Sequence, residues 1–141
     1  MEIIDLAADD PRWSVALPVL QELRPHLTAE TLTQVLREGT PQGLRFTAVF
    51  RDGQCLAVAG WRVVVNTSAL RKLYVDDLST TCAARSTGVG SALLAELRTR
   101  ARAEGCQVLD LDSGVQRHGA HRFYLRERMD ITSFHFAQRL S

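Results

Sequence analysis

The sequence predicts a single mixed α/β domain. Its 141 residues fit one ordinary domain. The spacing of apolar residues switches repeatedly between the strand period of two and the helical period near 3.6. No repeat, low-complexity run or linker divides the chain. The predicted order is strand, two helices, three strands, helix, strand, helix, strand.

Ile3, Ile4 and Leu6 open the chain as a short strand. Asp10 before Pro11 reads as an N-cap with proline at the first helical position, followed by Trp13, Leu17 and Leu20 on one face. Pro18 is expected to kink or divide that helix. A second helix starts at Thr28, carries Leu32, Val35 and Leu36, and stops at Gly39 before Pro41. Leu44, Phe46, Ala48 and Phe50 then alternate, and Asp52-Gly53 supplies the tight turn to a strand over Leu56 to Val65. A third long strand runs from Leu70 to about Thr80. From Gly88 the period is helical, through Leu93, Leu94, Leu97 and Ala101 to a stop at Gly105. Val108, Leu109 and Leu111 form a short strand, Arg117 to Glu127 a helix, and Ile131, Phe134 and Phe136 a terminal strand.

Composition narrows the function classes. Seventeen basic against sixteen acidic residues leave a net charge of +1, which gives no support to nucleic-acid binding. No uncharged apolar run is long enough for a transmembrane helix, and the N-terminus lacks the pattern of a secretory signal. Cys55, Cys82 and Cys106 are scattered and odd in number, which suits a reducing cytoplasm and signals neither a metal site nor a redox pair.

The segment Arg85-Ser86-Thr87-Gly88-Val89-Gly90 lies between a strand and the strongest helix. The first amides of a helix lack backbone partners, and glycines allow close approach, so a phosphate or pyrophosphate fits there. Arg85 adds charge, and Ser86 or Ser91 adds a hydroxyl. It is neither a Walker loop nor a full GxGxxG, because Leu93 occupies the third glycine position. Relief of a crowded turn explains an isolated GxG equally well.

Arg85-x-x-Gly88-x-Gly90 and the Ala-Leu-Leu that follows, with Ala120-x-x-Phe123-Tyr124 and Met129, resemble the Gcn5-related N-acetyltransferase (GNAT) superfamily. The string from Leu111 to Arg117, continuing through Ala120 to Tyr124, is similar to its small bacterial members. The resemblance implies a mostly antiparallel twisted sheet flanked by helices, splayed near its centre to form a cofactor cleft. It implies that amides of Arg85, Ser86, Thr87, Gly88, Val89 and Gly90, with Ser91, hold the pyrophosphate of acetyl-CoA. Leu78, Ser79 and Thr80 would run beside the pantetheine arm, and a backbone N–H near Leu78 would polarise the thioester carbonyl. Tyr124 would protonate the departing thiolate; a phenol with pKa near 10 stays protonated at neutral pH. The acceptor would be a primary amine on a small molecule or peptide, and small members often form homodimers. The rival class is a CoA-responsive binding or regulatory module without turnover.

Some positions depart from that pattern. Arg128 stands where a glycine usually turns the chain, and Met129 replaces the following aromatic. Arg117 replaces an asparagine, and either reaches the CoA phosphates or caps the surface. No base is evident. Asp76 and Asp77 are expected on opposite strand faces, one toward the acceptor amine and the other in solvent or paired with Arg71 or Lys72. Water is an alternative relay. Tyr74 shares the face of Asp76, and Trp13 and Trp61 are candidate pocket walls. Phe123 reads as core packing and Cys82 as non-catalytic. His118 and His121 read as solvated helix positions, and His135 as strand surface or a residue facing the cleft or a partner.

Overall fold

The computed structural model describes residues 1–141. Residues Met1–Asp110 and Leu111–Ser141 form two compact units. The first carries β1 (Glu2–Leu6), α1 (Trp13–Leu23), α2 (Ala29–Gly39), β2 (Arg45–Arg51), β3 (Gln54–Val64), β4 (Lys72–Thr80) and α3 (Val89–Ala103). β5 (Val108–Leu111) runs across the boundary, and the second unit contains α4 (His118–Arg126). No helix is long and apolar enough to cross a membrane.

The five strands lie in the order β1-β2-β3-β4-β5, and the first four pair antiparallel. The β2–β3 hairpin turns on Asp52 and Gly53, both with positive φ, as a two-residue turn of this twist demands. β2 is buried on both faces because helices cover both. Phe46, Ala48 and Phe50 join Trp13, Leu20 and Leu32 in the core beneath α1 and α2. Leu93, Leu94 and Leu97 of α3 are fully buried on the opposite side. There Thr47 receives the Trp61 indole N–H at 2.9 Å and donates to Asp5 Oδ1 at 2.9 Å, while Arg100 of α3 bonds both Asp5 and Thr47. This polar network ties three strands and a helix together with its buried groups satisfied.

Several element boundaries differ from the sequence-based expectations. α1 starts two residues after Pro11, because the Asp10 carboxylate folds back onto the N–H and guanidinium of Arg12 and does not cap the helix. Pro18 does not divide α1, which runs unbroken from Trp13 to Leu23. α2 begins as expected, with Thr28 and Thr31 in reciprocal capping bonds. Trp13 and Trp61 are core residues, 7% and 0% exposed, and neither is a pocket wall. Residues 129–141 contain no strand, so the expected terminal strand is absent from this sheet.

Candidate active site

The β4–α3 connection is built to leave amides open. A short 3-10 turn, Cys82–Ala84, follows β4, and Thr87 Oγ1 donates back to the Ala84 carbonyl. Ser86 and Gly88 then adopt left-handed backbone with φ of 64° and 88°, and α3 starts at Val89. None of the backbone–backbone bonds around this turn is donated by Ser86, Thr87, Gly88, Val89 or Gly90. These N–H groups stand at the positive end of a fifteen-residue helix dipole. Val89 is 2% exposed and anchors the turn, while residues 85–88 face solvent. The residues present therefore fit a diphosphate, as donors without acceptors and with little side chain in the way.

Glu22 of α1 fixes the entry to this turn. Its carboxylate accepts the Cys82 N–H at 2.9 Å and the Thr81 hydroxyl at 2.8 Å, and it lies 3.5 Å from the Arg85 guanidinium. Arg85 also donates to the Thr80 carbonyl at 3.4 Å. Sequence reading gave no role to Glu22. Its place on α1 follows from helical spacing, but its partners appear only when α1 packs on β4.

β4 has an open side next to the turn. Leu78, Ser79 and Thr80 pair with Ala59, Val58 and Ala57 of β3 along one edge. Along the other edge runs β5, whose Asp110 meets Lys72, the first residue of β4, at 2.8 Å. Four residues of strand extend only about 13 Å, so β5 ends well short of Leu78 to Thr80. The backbone groups there have no strand neighbour on that edge. Ser79 cannot contribute its side chain, because its hydroxyl donates to the Val19 carbonyl of α1 at 2.6 Å.

Asp76 and Asp77 do not take opposite faces. Gly60 pairs with Asp77 and Trp61 with Val75, so Asp76 is an extra residue in β4, a bulge that shifts the alternation. Arg62, cross-strand from Tyr74, holds both oxygens of Asp76 at 2.9 and 3.1 Å and also reaches Gln42. Arg24, just past α1, donates to Asp77 Oδ1 at 2.8 Å and to the Asp76 carbonyl at 3.1 Å. A Cβ on residue 60 would lie 2.8 Å from the Phe46 ring and 3.0 Å from Asp77 Oδ2, which puts Asp77 on the α1 side. The expected partners are engaged elsewhere, Arg71 with Glu104 and Lys72 with Asp110. Burial pushes the Asp77 carboxyl above the usual carboxylate range, and Arg24 opposes that shift.

In the second unit, Tyr124 sits half-buried on α4, its ring 5.4 Å from that of Phe123. Burial raises its phenol pKa, while the charge of Arg117 and a hydrogen bond from its guanidinium oppose the rise. Arg117 thus meets the phenol, a third placement beside the two considered from sequence. His121 Nε2 donates to the Gly114 carbonyl at 2.7 Å and closes the loop before α4. His135 lies 3.6 Å from Asp112. After α4, Arg128 has φ of 65°, with bonds from its N–H to Leu125 and from Met129 N–H to Tyr124. This is the helix-terminating arrangement usually built on glycine, so the turn is kept and the arginine is strained.

Residues 3–129 match the Acetyltransferase (GNAT) family. An uncharacterized N-acetyltransferase, YhdJ, of Bacillus subtilis (strain 168) is 34% identical over 121 residues, covering 85% of this chain and 84% of that protein. The aminoalkylphosphonate N-acetyltransferase of Salmonella typhimurium is 39% identical over 56 residues, 40% of this chain and 36% of that protein. A ribosomal-protein-alanine N-acetyltransferase structure from Brucella melitensis superposes with a TM-score of 0.81 at 15% identity, over 99% of this chain and 100% of that one.

Proposed function

As this chain belongs to the acetyltransferase (GNAT) family, we propose that it transfers an acetyl group from acetyl-CoA to a primary amine, both bound at once. The observation that carries this reading is the run of N–H groups from Ser86 to Gly90 at the start of α3. Acetyl-CoA supplies the activated acetyl group as a thioester. Those amides, with Arg85 and the Ser91 position, hold the diphosphate, and the open edge of β4 at Leu78 to Thr80 takes the pantetheine arm by backbone bonds. The Leu78 N–H polarises the carbonyl. The amine nitrogen bonds to the acetyl carbon, the carbon–sulfur bond breaks, and Tyr124 gives its proton to sulfur. Arg117, already on the phenol oxygen, stabilises the phenolate that results.

The amine must also lose a proton. Asp76 has both oxygens on Arg62 and serves to hold the bulge and the acceptor side of β4. Asp77, raised by burial, is the better proton acceptor of the two, with water as the alternative relay. All 141 residues act as one catalytic domain in this reading, and the reaction belongs in the cytoplasm. The curated relatives' acceptors include an aminoalkylphosphonate, so the first acceptor panel contains small aminoalkyl acids beside peptides and polyamines.

Calorimetric titration with acetyl-CoA, followed by thiol release across that panel, tests the proposal. Tight binding weakened by Gly88→Ala, with thiol release on an amine, is expected. Binding without thiol release on any amine would favour the regulatory module, and no binding at all would overturn the site.

A further inference from the structure

Arg24 is the first residue past α1, and its guanidinium crosses to the bulge of β4. Nε donates to Asp77 Oδ1 at 2.8 Å and Nη2 to the Asp76 carbonyl at 3.1 Å, so the edge shared by these two nitrogens is taken by the protein. The end-on edge, Nη1 with the second N–H of Nη2, carries no bond. The two bonds that are made fix the plane of the group. A guanidinium held on one edge and open on the other is set to receive an acid group by two parallel hydrogen bonds.

Exposure gives the Arg24–Asp77 pair a direction. The Arg24 side chain is 44% exposed and that of Asp77 18%, so the cation is the outer member and the carboxylate lies behind it. A solute arriving at this pair meets positive charge first. Arg62, the other guanidinium at the bulge, is half-buried and committed to both Asp76 oxygens and to Gln42. Arg24 is therefore the cation with capacity to spare. Asp77 directly precedes Leu78, and one to two residues of strand span only about 3–7 Å. The open edge of Arg24 thus lies within a short molecule's length of the Leu78 N–H.

We propose that Arg24 selects the acceptor: its open edge binds the acid group of a short aminoalkyl acid, carboxylate or phosphonate, whose amine meets the thioester beside Leu78. This rests on the acetyl-transfer reading and names the acceptor class within it. Two bonds to a fixed guanidinium hold the acid end, so the amine end is presented in few orientations. Polyamines bring a second positive charge to the same place and are disfavoured there.

Matched acceptor pairs on the full chain test this. Glycine, β-alanine and 2-aminoethylphosphonate are compared with glycinamide, β-alaninamide and ethanolamine, following thiol release at saturating acetyl-CoA. Each acid should exceed its neutral partner in kcat/KM by roughly tenfold or more. The neutral partners have the less basic amines, so such a preference cannot arise from amine protonation. Arg24→Gln should raise KM for the acids by about tenfold or more and leave the neutral acceptors and acetyl-CoA affinity unchanged. Arg24→Lys, which keeps the charge without the fork, should recover part of the loss. The wild-type comparison keeps the test decisive should a variant not fold. Equal kcat/KM for acids and neutral partners, or no turnover of any acid, would overturn the proposal. So would an Arg24→Gln enzyme that loses acids and neutral acceptors alike, which marks Arg24 as a structural partner of Asp77 alone. Calorimetry with acetyl-CoA before any acceptor is added separates these results from failure of the acetyl-transfer reading, since absence of binding would overturn both.

Discussion

Helices α3 and α4 carry complementary halves of the proposed chemistry and are held in opposite ways. α3 buries Val89, Leu93, Leu94, Leu97 and Ala101, whereas α4 buries no residue fully. α3 opens on Gly88 and stops at Gly105, where Gly105 N–H bonds Arg102 and Cys106 N–H bonds Ala101. α4 stops with the same two bonds, but on Arg128. The helix whose first amides are proposed to hold a diphosphate is part of the core. The helix that carries the proposed proton donor is held by local contacts: Arg117 on Tyr124, His121 on Gly114 and a strained cap. Substitutions on α3 should therefore register as stability and those on α4 as rate.

The largest expected effect is on α4. Tyr124→Phe should lower turnover by about 10²–10⁴-fold with acetyl-CoA affinity and melting temperature nearly unchanged. Equal turnover, with chemistry shown to be rate-limiting, would remove the proton-donor role. The wild-type rate should fall at strongly alkaline pH as the phenol, raised by burial, loses its proton. That raised value also means that the tyrosine's contribution to stability is complete below pH about 10 and is lost as pH rises through the folded pKa. Tyr124→Phe should flatten the alkaline fall of both rate and stability.

On α3 the matching change is Leu94→Ala. A fully buried leucine removed from this core should cost about 2–5 kcal/mol, read by denaturant unfolding. The two helix ends give smaller effects of opposite sign. Gly105→Ala forces a side chain into φ of 77° and should destabilise by about 1–2 kcal/mol. Arg128→Gly relieves φ of 65° and should stabilise by about 1 kcal/mol or less, because the added freedom of the unfolded chain offsets part of the gain. Equal signs at the two ends would show that the caps are not equivalent.

What the sequence made legible follows from what each signal depends on. Local signals held: Thr28 caps α2, Asp52-Gly53 turns the hairpin, and Gly105 stops α3. The family resemblance correctly anticipated the mixed, mostly antiparallel sheet with helices on its faces. The misses are tertiary. Asp10 is drawn to Arg12 by charge, and α1 carries Pro18 because packing on β3 and β4 holds the helix through it. A bulge at Asp76 has no sequence signature here, and one extra residue was enough to bring Asp76 and Asp77 to the same side. Trp61, a candidate pocket wall by sequence, is fully buried; an indole in a strand carries no mark of which helix will cover it. The terminal strand failed for a different reason: its period is right, but a period says nothing about which sheet supplies the partner.

Arg85 already holds an anion, the Glu22 carboxylate, before the proposed diphosphate comes. Glu22 lies against it and also secures Cys82 and Thr81, so in the proposed complex admitting a diphosphate would exchange one negative partner for another. Added salt screens the outgoing and incoming pairs alike. Carrier affinity should then depend on ionic strength less steeply than a bare arginine would dictate, and Glu22→Gln should steepen it.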